Sequence, residues 1–230
     1  TDDKGQFFAH VKGLETHLAV NDELPVNVKL LVEGEEEVGS VHLEDWVTKH
    51  REKLACDAVV ISDSSMFAPG LPTITYGLRG LAYFELTVRG PDHDLHSGLY
   101  GGAVPNPINE IASLIDQLHD DDGRIAIPGF YDDVLELTDA ERQDFANLPF
   151  DEEAFREETG APGLTGESGY STLERRWSRP TLDCNGIWGG YTQPGAKTVL
   201  PSKAHAKISC RLVPDQDPDA IAELAESYLQ

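Results

Sequence analysis

The stretch VNVKLLVEGEEEVGS, Val26 to Ser40, decides how the chain is read. Val26, Val28, Leu30 and Val32 alternate with other residues, which predicts a strand with one buried face. Gly34 lets the chain turn at the strand's end, and Glu35, Glu36 and Glu37 follow. Strand ends in open α/β sheets are common ligand sites. Three adjacent carboxylates raise one another's pKa unless a cation offsets them. The run is therefore either a solvated acidic turn or half of a cation site.

Outward from this run the pattern is strand, helix, strand. Upstream, Phe7, Phe8, Val11, Leu14 and Leu18 recur at helical spacing behind Asp2 and Asp3, which are placed to cap that helix. Downstream, Val41 to Leu54 is expected to be a helix with Leu43, Trp46, Val47 and Leu54 inward. Asp57 to Asp63 (DAVVISD) then reads as a buried parallel strand ending in an acid. A βαβ unit of this kind belongs to an α/β domain, and it would set Glu36, Glu37 and Asp63 on one edge of a sheet.

From Pro72 the pattern changes, and a boundary near Gly77 to Gly80 divides the chain into domains at 1–78 and 79–230. The second domain opens with an alternating strand over Leu81–Arg89 and a glycine-rich loop over Gly90–Gly102. A helix opened by Pro105 and Pro107 follows, with Ile108, Ile111, Ile115 and Leu118 along one face. Residues 120–180 are acidic and broken by Gly and Pro, with helical stretches near Asp139–Phe145 and Asp151–Glu158. They are too long for a plain connection and form an insertion or a lid segment. Strands are expected over Lys197–Pro201 and Ala204–Val213, then a helix over Pro218–Leu229. The order is ferredoxin-like without its last strand.

Eighteen basic and 41 acidic residues give a net charge of −23. That argues against a nucleic-acid or anionic-membrane partner, which would require a basic face. Cys56, Cys184 and Cys210 are odd in number and far apart, so a reducing cytoplasm fits better than a disulfide framework. No apolar run approaches the roughly 20 residues of a membrane span. The chain does not open with methionine, so its true start is expected upstream. Thr1 at the first position suggests an N-terminal nucleophile, but a helix follows at once where such enzymes want a strand.

Asp2, Glu36, Glu37 and Asp63 are hard oxygen donors. A pair of divalent ions about 3.5–4 Å apart, bridged by one carboxylate and one water, suits such a set, with a further carboxylate left to take the water's proton. Zinc prefers some nitrogen ligands, and too few imidazoles lie near these acids. An all-carboxylate set also suits calcium or magnesium, although no DxDxDG loop supports calcium. His93 and His96 are spaced HxxH in a loop, which leaves ligation, hydrogen bonding and substrate contact all open. Arg211 on its expected strand is a structural ion pair or a clamp for a carboxylate.

Seven segments in order resemble one family: TDDKG (1–5), EGEEEVGS (33–40), ISD (61–63), YGLRG (76–80), DLHSGLYGG (94–102), GAKTVLP (195–201) and RLVP (211–214). It is the co-catalytic metallopeptidase family of aminoacylase, carboxypeptidase G2, succinyl-diaminopimelate desuccinylase and the carnosinase-like cytosolic dipeptidases. The long insertion with RRWSRP at 175–180 resembles the dipeptidase branch. The resemblance implies an α/β catalytic domain followed by a ferredoxin-like lid that dimerises. It implies hydrolysis of dipeptides by a hydroxide shared between two divalent ions, Zn or Mn. Asp2 would bridge the ions, Glu37 and Asp63 would each hold one, and Glu36 would be the general base. His96 resembles a lid histidine that reaches the partner subunit's site to stabilise the tetrahedral intermediate, and Thr198 and Arg211 match positions that hold the substrate's C-terminal carboxylate. Glu35 and His93 fall outside the matched positions and are expected to be solvated. A cis peptide between Asp2 and Asp3 is also implied.

The chain departs from the family in two places. The metal-binding histidine of an HxD motif is expected upstream of Thr1, and the last histidine ligand downstream of Gln230. The expectation is an internal piece of a longer enzyme that binds metal poorly and is inactive alone. An N-acyl-amino-acid deacylase or carboxypeptidase of the same family is the alternative within this chemistry. A non-catalytic dimerisation module is the alternative outside it.

Overall fold

Lys203 to Leu212 alternates so regularly that its two faces separate completely. Ala204, Ala206, Ile208, Cys210 and Leu212 are buried, while Lys203, Lys207 and Arg211 face solvent. This computed structural model describes residues 3–64 and 66–230. The chain divides into two units, Thr1–Tyr76 and Gly77–Gln230.

The second unit is built on that strand. β1 (Gly80–Arg89) and β3 (Thr181–Gly189) pair antiparallel on either side of β5 (Lys203–Leu212), giving the order β1-β5-β3. α5 (Pro107–Asp116) crosses all three strands and α9 (Pro218–Leu229) packs on β1. Ile111 and Ile221 from these helices join Ala82, Leu182 and the apolar row of β5 in one core. Each helix starts from a side-chain cap, Asn106 on the Ile108 amide and Asp217 on the Asp219 and Ala220 amides, with proline in the first turn of both. This is the expected ferredoxin-like α+β arrangement. A two-stranded ribbon, β2 (Leu95–His96) with β4 (Val199–Leu200), stands beside it, and α4 (Ser97–Tyr100) follows β2 directly.

β3 was not expected from the sequence. A bulge between Cys184 and Gly186 inserts an extra residue, so the phase that buries Leu182 reverses beyond it. Asp183, Asn185 and Gly186 further weaken the strand signal.

The insertion is structured. Ile125, Ile127 and Phe130 enter the main core, and three helices follow: α6 (Asp139–Ala146), α7 (Glu152–Thr159) and α8 (Thr172–Trp177). Thr138 with Glu141 and Ser171 with Glu174 form capping boxes at α6 and α8. Arg179 is buried and pairs with Glu167 through two 2.8 Å hydrogen bonds. The rings of Tyr170 and Tyr131 flank its guanidinium at 4.4 and 5.1 Å. Burial alone lowers an arginine's pKa, but the Glu167 hydrogen bond and charge outweigh it and raise that of Arg179. Arg175 donates to the Glu167 carbonyl at 2.9 Å, so the RRWSRP motif acts here as a structural clasp.

The first unit contains α1 (Lys4–Asn21), a 3₁₀ turn at Glu36–Val38, α2 (Leu43–Lys49) and α3 (Arg51–Leu54). α1 forms as expected but buries none of its residues, and Phe8 is 59% exposed. Asp3 does not cap it, and its buried Oδ1 has no hydrogen-bond partner among the described residues. The helix expected over 41–54 breaks at His50, whose Nδ1 is 2.7 Å from the Trp46 carbonyl and whose ring stacks on Trp46. Neither Val26–Val32 nor Asp57–Asp63 forms a strand, and Val32 and Ile61 are 63% and 77% exposed. A parallel strand needs a neighbour for its backbone groups, and neither segment finds one among the described residues.

Candidate functional site

The two-residue ribbon brings together two of the residues that the sequence singles out. Leu95 pairs with Leu200 and His96 with Val199, and the Ser97 amide donates to the Thr198 carbonyl at 3.1 Å. His96 caps α4, and its Nδ1 accepts the Gly98 amide at 3.0 Å. An Nδ1 that accepts carries no proton, so the neutral ring is protonated at Nε2. That Nε2 lies 3.2 Å from Thr198 Oγ1. Both side chains are exposed, so with the Nε2–H directed at Oγ1 the pair presents the Thr198 hydroxyl to a docking ligand, and the N–H where the ligand's acceptor replaces Oγ1. Gly98 is required for this arrangement, because a Cβ on it would lie 2.8 Å from His96 Cε1.

The loop carrying His96 is also fixed to the body of the unit. Gly90 packs so closely on Pro107 that a Cβ would meet its Cγ at 2.6 Å. The Gly90 amide donates to the Ser202 carbonyl at 2.8 Å, and the Ser202 amide donates to Asp94 Oδ1 at 2.9 Å.

Arg211 stands on the sheet face opposite the buried row of β5, between Leu81 of β1 and Thr181 of β3. It makes no ion pair among the described residues. Arg79, two residues before Leu81, is half-buried. Burial, then the nearby Arg211 and Arg176 charges, hold its pKa below the ordinary arginine value, with Asp183 as a partial offset. Arg79 therefore lies within electrostatic range of both Arg211 and Arg176, with the Asp183 carboxylate nearby. Arg79 was not singled out as a site residue, since its companions become visible only in the strand register. Arg211 is eight residues along β5 from Lys203, about 26 Å of strand. His96 and Thr198 belong to the Lys203 end. A dipeptide spans at most about 7 Å, so one chain's His96, Thr198 and Arg211 do not grip the same small substrate.

In the first unit Glu36 and Glu37 lie on the exposed 3₁₀ turn, and Asp63 is exposed within an unpaired segment. Asp2 and the Asp2–Asp3 peptide fall outside the described residues. Glu35 is half-buried with His42 Nδ1 at 2.8 Å, rather than simply solvated. His93 is exposed and pairs with Asp92. Among the described residues no three His, Cys, Asp or Glu side chains come together as a metal-binding group.

Residues 76–230 match the family model described as the peptidase dimerisation domain. The chain belongs to the M20 peptidase family. Over its whole length it is 38% identical to the Cys-Gly metallodipeptidase dug1 of Schizosaccharomyces pombe, of which it covers 48%. It is 35% identical to human Beta-Ala-His dipeptidase, of which it covers 46%. Among solved structures it resembles the M20 family metallo-carboxypeptidase Sso-CP2 of Sulfolobus solfataricus, with a TM-score of 0.81 and 41% identity. That match covers 94% of this chain and 49% of the other. The match to human carnosine dipeptidase 1 has a TM-score of 0.79, covering 100% and 49%. This M20 chain thus spans about half the length of the curated relatives it matches. No helix among its described residues is long and apolar enough to cross a membrane.

Proposed function

We propose that this chain is the central part of a cytoplasmic, metal-dependent dipeptidase that works as a homodimer. The observation that carries the reading is the exposed His96–Thr198 pair at one end of the β1-β5-β3 unit with Arg211 at the other. Two copies arranged head to tail would let His96 and Thr198 of one meet Arg211 of the other across a single dipeptide. Arg211 suits the substrate carboxylate because its planar fork donates two parallel hydrogen bonds. His96, protonated at Nε2, would donate to the carbonyl oxygen as charge builds on it. Glu36 would accept the proton of the attacking water.

Asp2, Glu37 and Asp63 would hold two divalent ions, Zn or Mn, once the rest of the protein brings them together and adds nitrogen ligands. Bound there, the ions would polarise the scissile carbonyl and acidify the attacking water. Residues 1–78 would then be part of the catalytic domain, and 79–230 the lid. Cys-Gly and β-Ala-His are the substrates to try first, from the names of the relatives. A carboxypeptidase is the second reading, favoured by the 41% identity to Sso-CP2.

The test is turnover by the longer protein that contains this chain, with and without chelator. Hydrolysis of dipeptides that stops with chelator and returns with Zn²⁺ or Mn²⁺ supports the reading; full activity in chelator overturns it. Preference for longer peptides with release of one C-terminal residue selects the carboxypeptidase.

A further inference from the structure

The β2–β4 ribbon that joins His96 to Thr198 is only two residues long on each side, and so short a pairing orders little by itself. β5, by contrast, is the most deeply buried strand of the unit. Only Pro201 and Ser202 separate β4 from β5. Ser202 is held from both sides, its carbonyl by the Gly90 amide and its amide by the carboxylate of Asp94, two residues before His96. A backbone amide bound to an ionised carboxylate is among the stronger hydrogen bonds.

We propose that Asp94 is a positioning residue that references the His96 loop to the rigid core strand and so fixes His96 opposite Thr198. The proposal rests on the reading of His96 as a group that touches substrate. Asp94 itself touches no reacting atom. It acts through the Ser202 amide, a contact between residues 108 positions apart that no local spacing reveals.

The experiment uses the longer protein with Cys-Gly and β-Ala-His as probes, following turnover and the His96 imidazole nitrogen resonances. Asp94→Ala is expected to lower kcat about tenfold, the scale of losing one charge-assisted hydrogen bond. Asp94→Asn keeps a carbonyl oxygen for the Ser202 amide and is expected to stay within about twofold of wild type. In a His96→Ala background Asp94→Ala is expected to cost nothing further, because its effect passes through His96. The His96 resonances should move in Asp94→Ala and remain in place in Asp94→Asn. Wild-type kcat in Asp94→Ala, an equal loss with or without His96, or unmoved resonances each overturn the proposal. A wild type that cleaves no dipeptide refutes the functional reading instead, and the resonances alone then decide the role of Asp94.

Discussion

His96 Nε2 lies 3.2 Å from Thr198 Oγ1, linking residues 102 positions apart across a ribbon of two residues per strand. The Gly98 amide on Nδ1 leaves Nε2 as the protonated nitrogen, so the imidazole donates and the threonine accepts or passes the contact to a ligand. Thr198→Val keeps the shape and removes the hydroxyl. In the longer protein it is expected to raise KM about fivefold, the worth of one neutral hydrogen bond. Thr198→Ser should restore the wild-type KM, and steady-state kinetics on a dipeptide check both.

Gly98→Ala places a methyl group against the imidazole, 2.8 Å from Cε1 and 3.1 Å from Nδ1. The ring must rotate away, taking Nε2 from Thr198. The expected outcome is a fall in kcat approaching that of His96→Ala with the melting temperature nearly unchanged, since the loop is exposed.

Arg179→Ala strips two of the hydrogen bonds from the buried Glu167 carboxylate and leaves it the 3.1 Å bond from half-exposed Arg124. Removing one partner of a buried pair costs about 3–5 kcal/mol, so the melting temperature should fall by several degrees. Arg179→Met combined with Glu167→Leu should cost less than Arg179→Ala alone, because the charges that lose a partner, Arg124 and Glu136, are reached by solvent and neither is buried. Thermal unfolding of the three variants checks this.

Burial pushes the Cys210 thiol up to about 12, with the Asp183 charge adding to it. Its folded pKa exceeds that of the unfolded thiol, so this contribution to stability is complete below about pH 9 and fades as pH rises toward 12. At pH 8 a thiol reagent should modify exposed Cys184 rapidly and reach Cys210 only on unfolding. Mass spectrometry of the labelled protein separates the two positions.

The strands of the lid were legible where alternation was clean, as in Ala204, Ala206, Ile208, Cys210 and Leu212. β3 escaped because its bulge reverses that alternation midway. Pro107 announced α5, while α8, only six residues long, offered little beyond the Ser171–Glu174 capping box. In the first unit the apolar runs at 26–32 and 57–63 carry strand-like composition without strand structure, because composition cannot supply a neighbouring strand. Within the site, His96 and Thr198 were singled out through the family motifs. Their hydrogen bond and the Asp94 tie depend on loop closure and register, which no spacing along the chain encodes.

On the proposed function, carboxylates scattered through the first unit converge on metal once the longer protein surrounds them. Anomalous scattering from crystals of that protein grown with Zn²⁺ or Mn²⁺ tests it most directly. Two peaks about 3.5–4 Å apart, among the side chains of Asp2, Glu37 and Asp63, are the expected result. Peaks elsewhere, or Asp2, Glu37 and Asp63 facing separate parts of the surface, would contradict it.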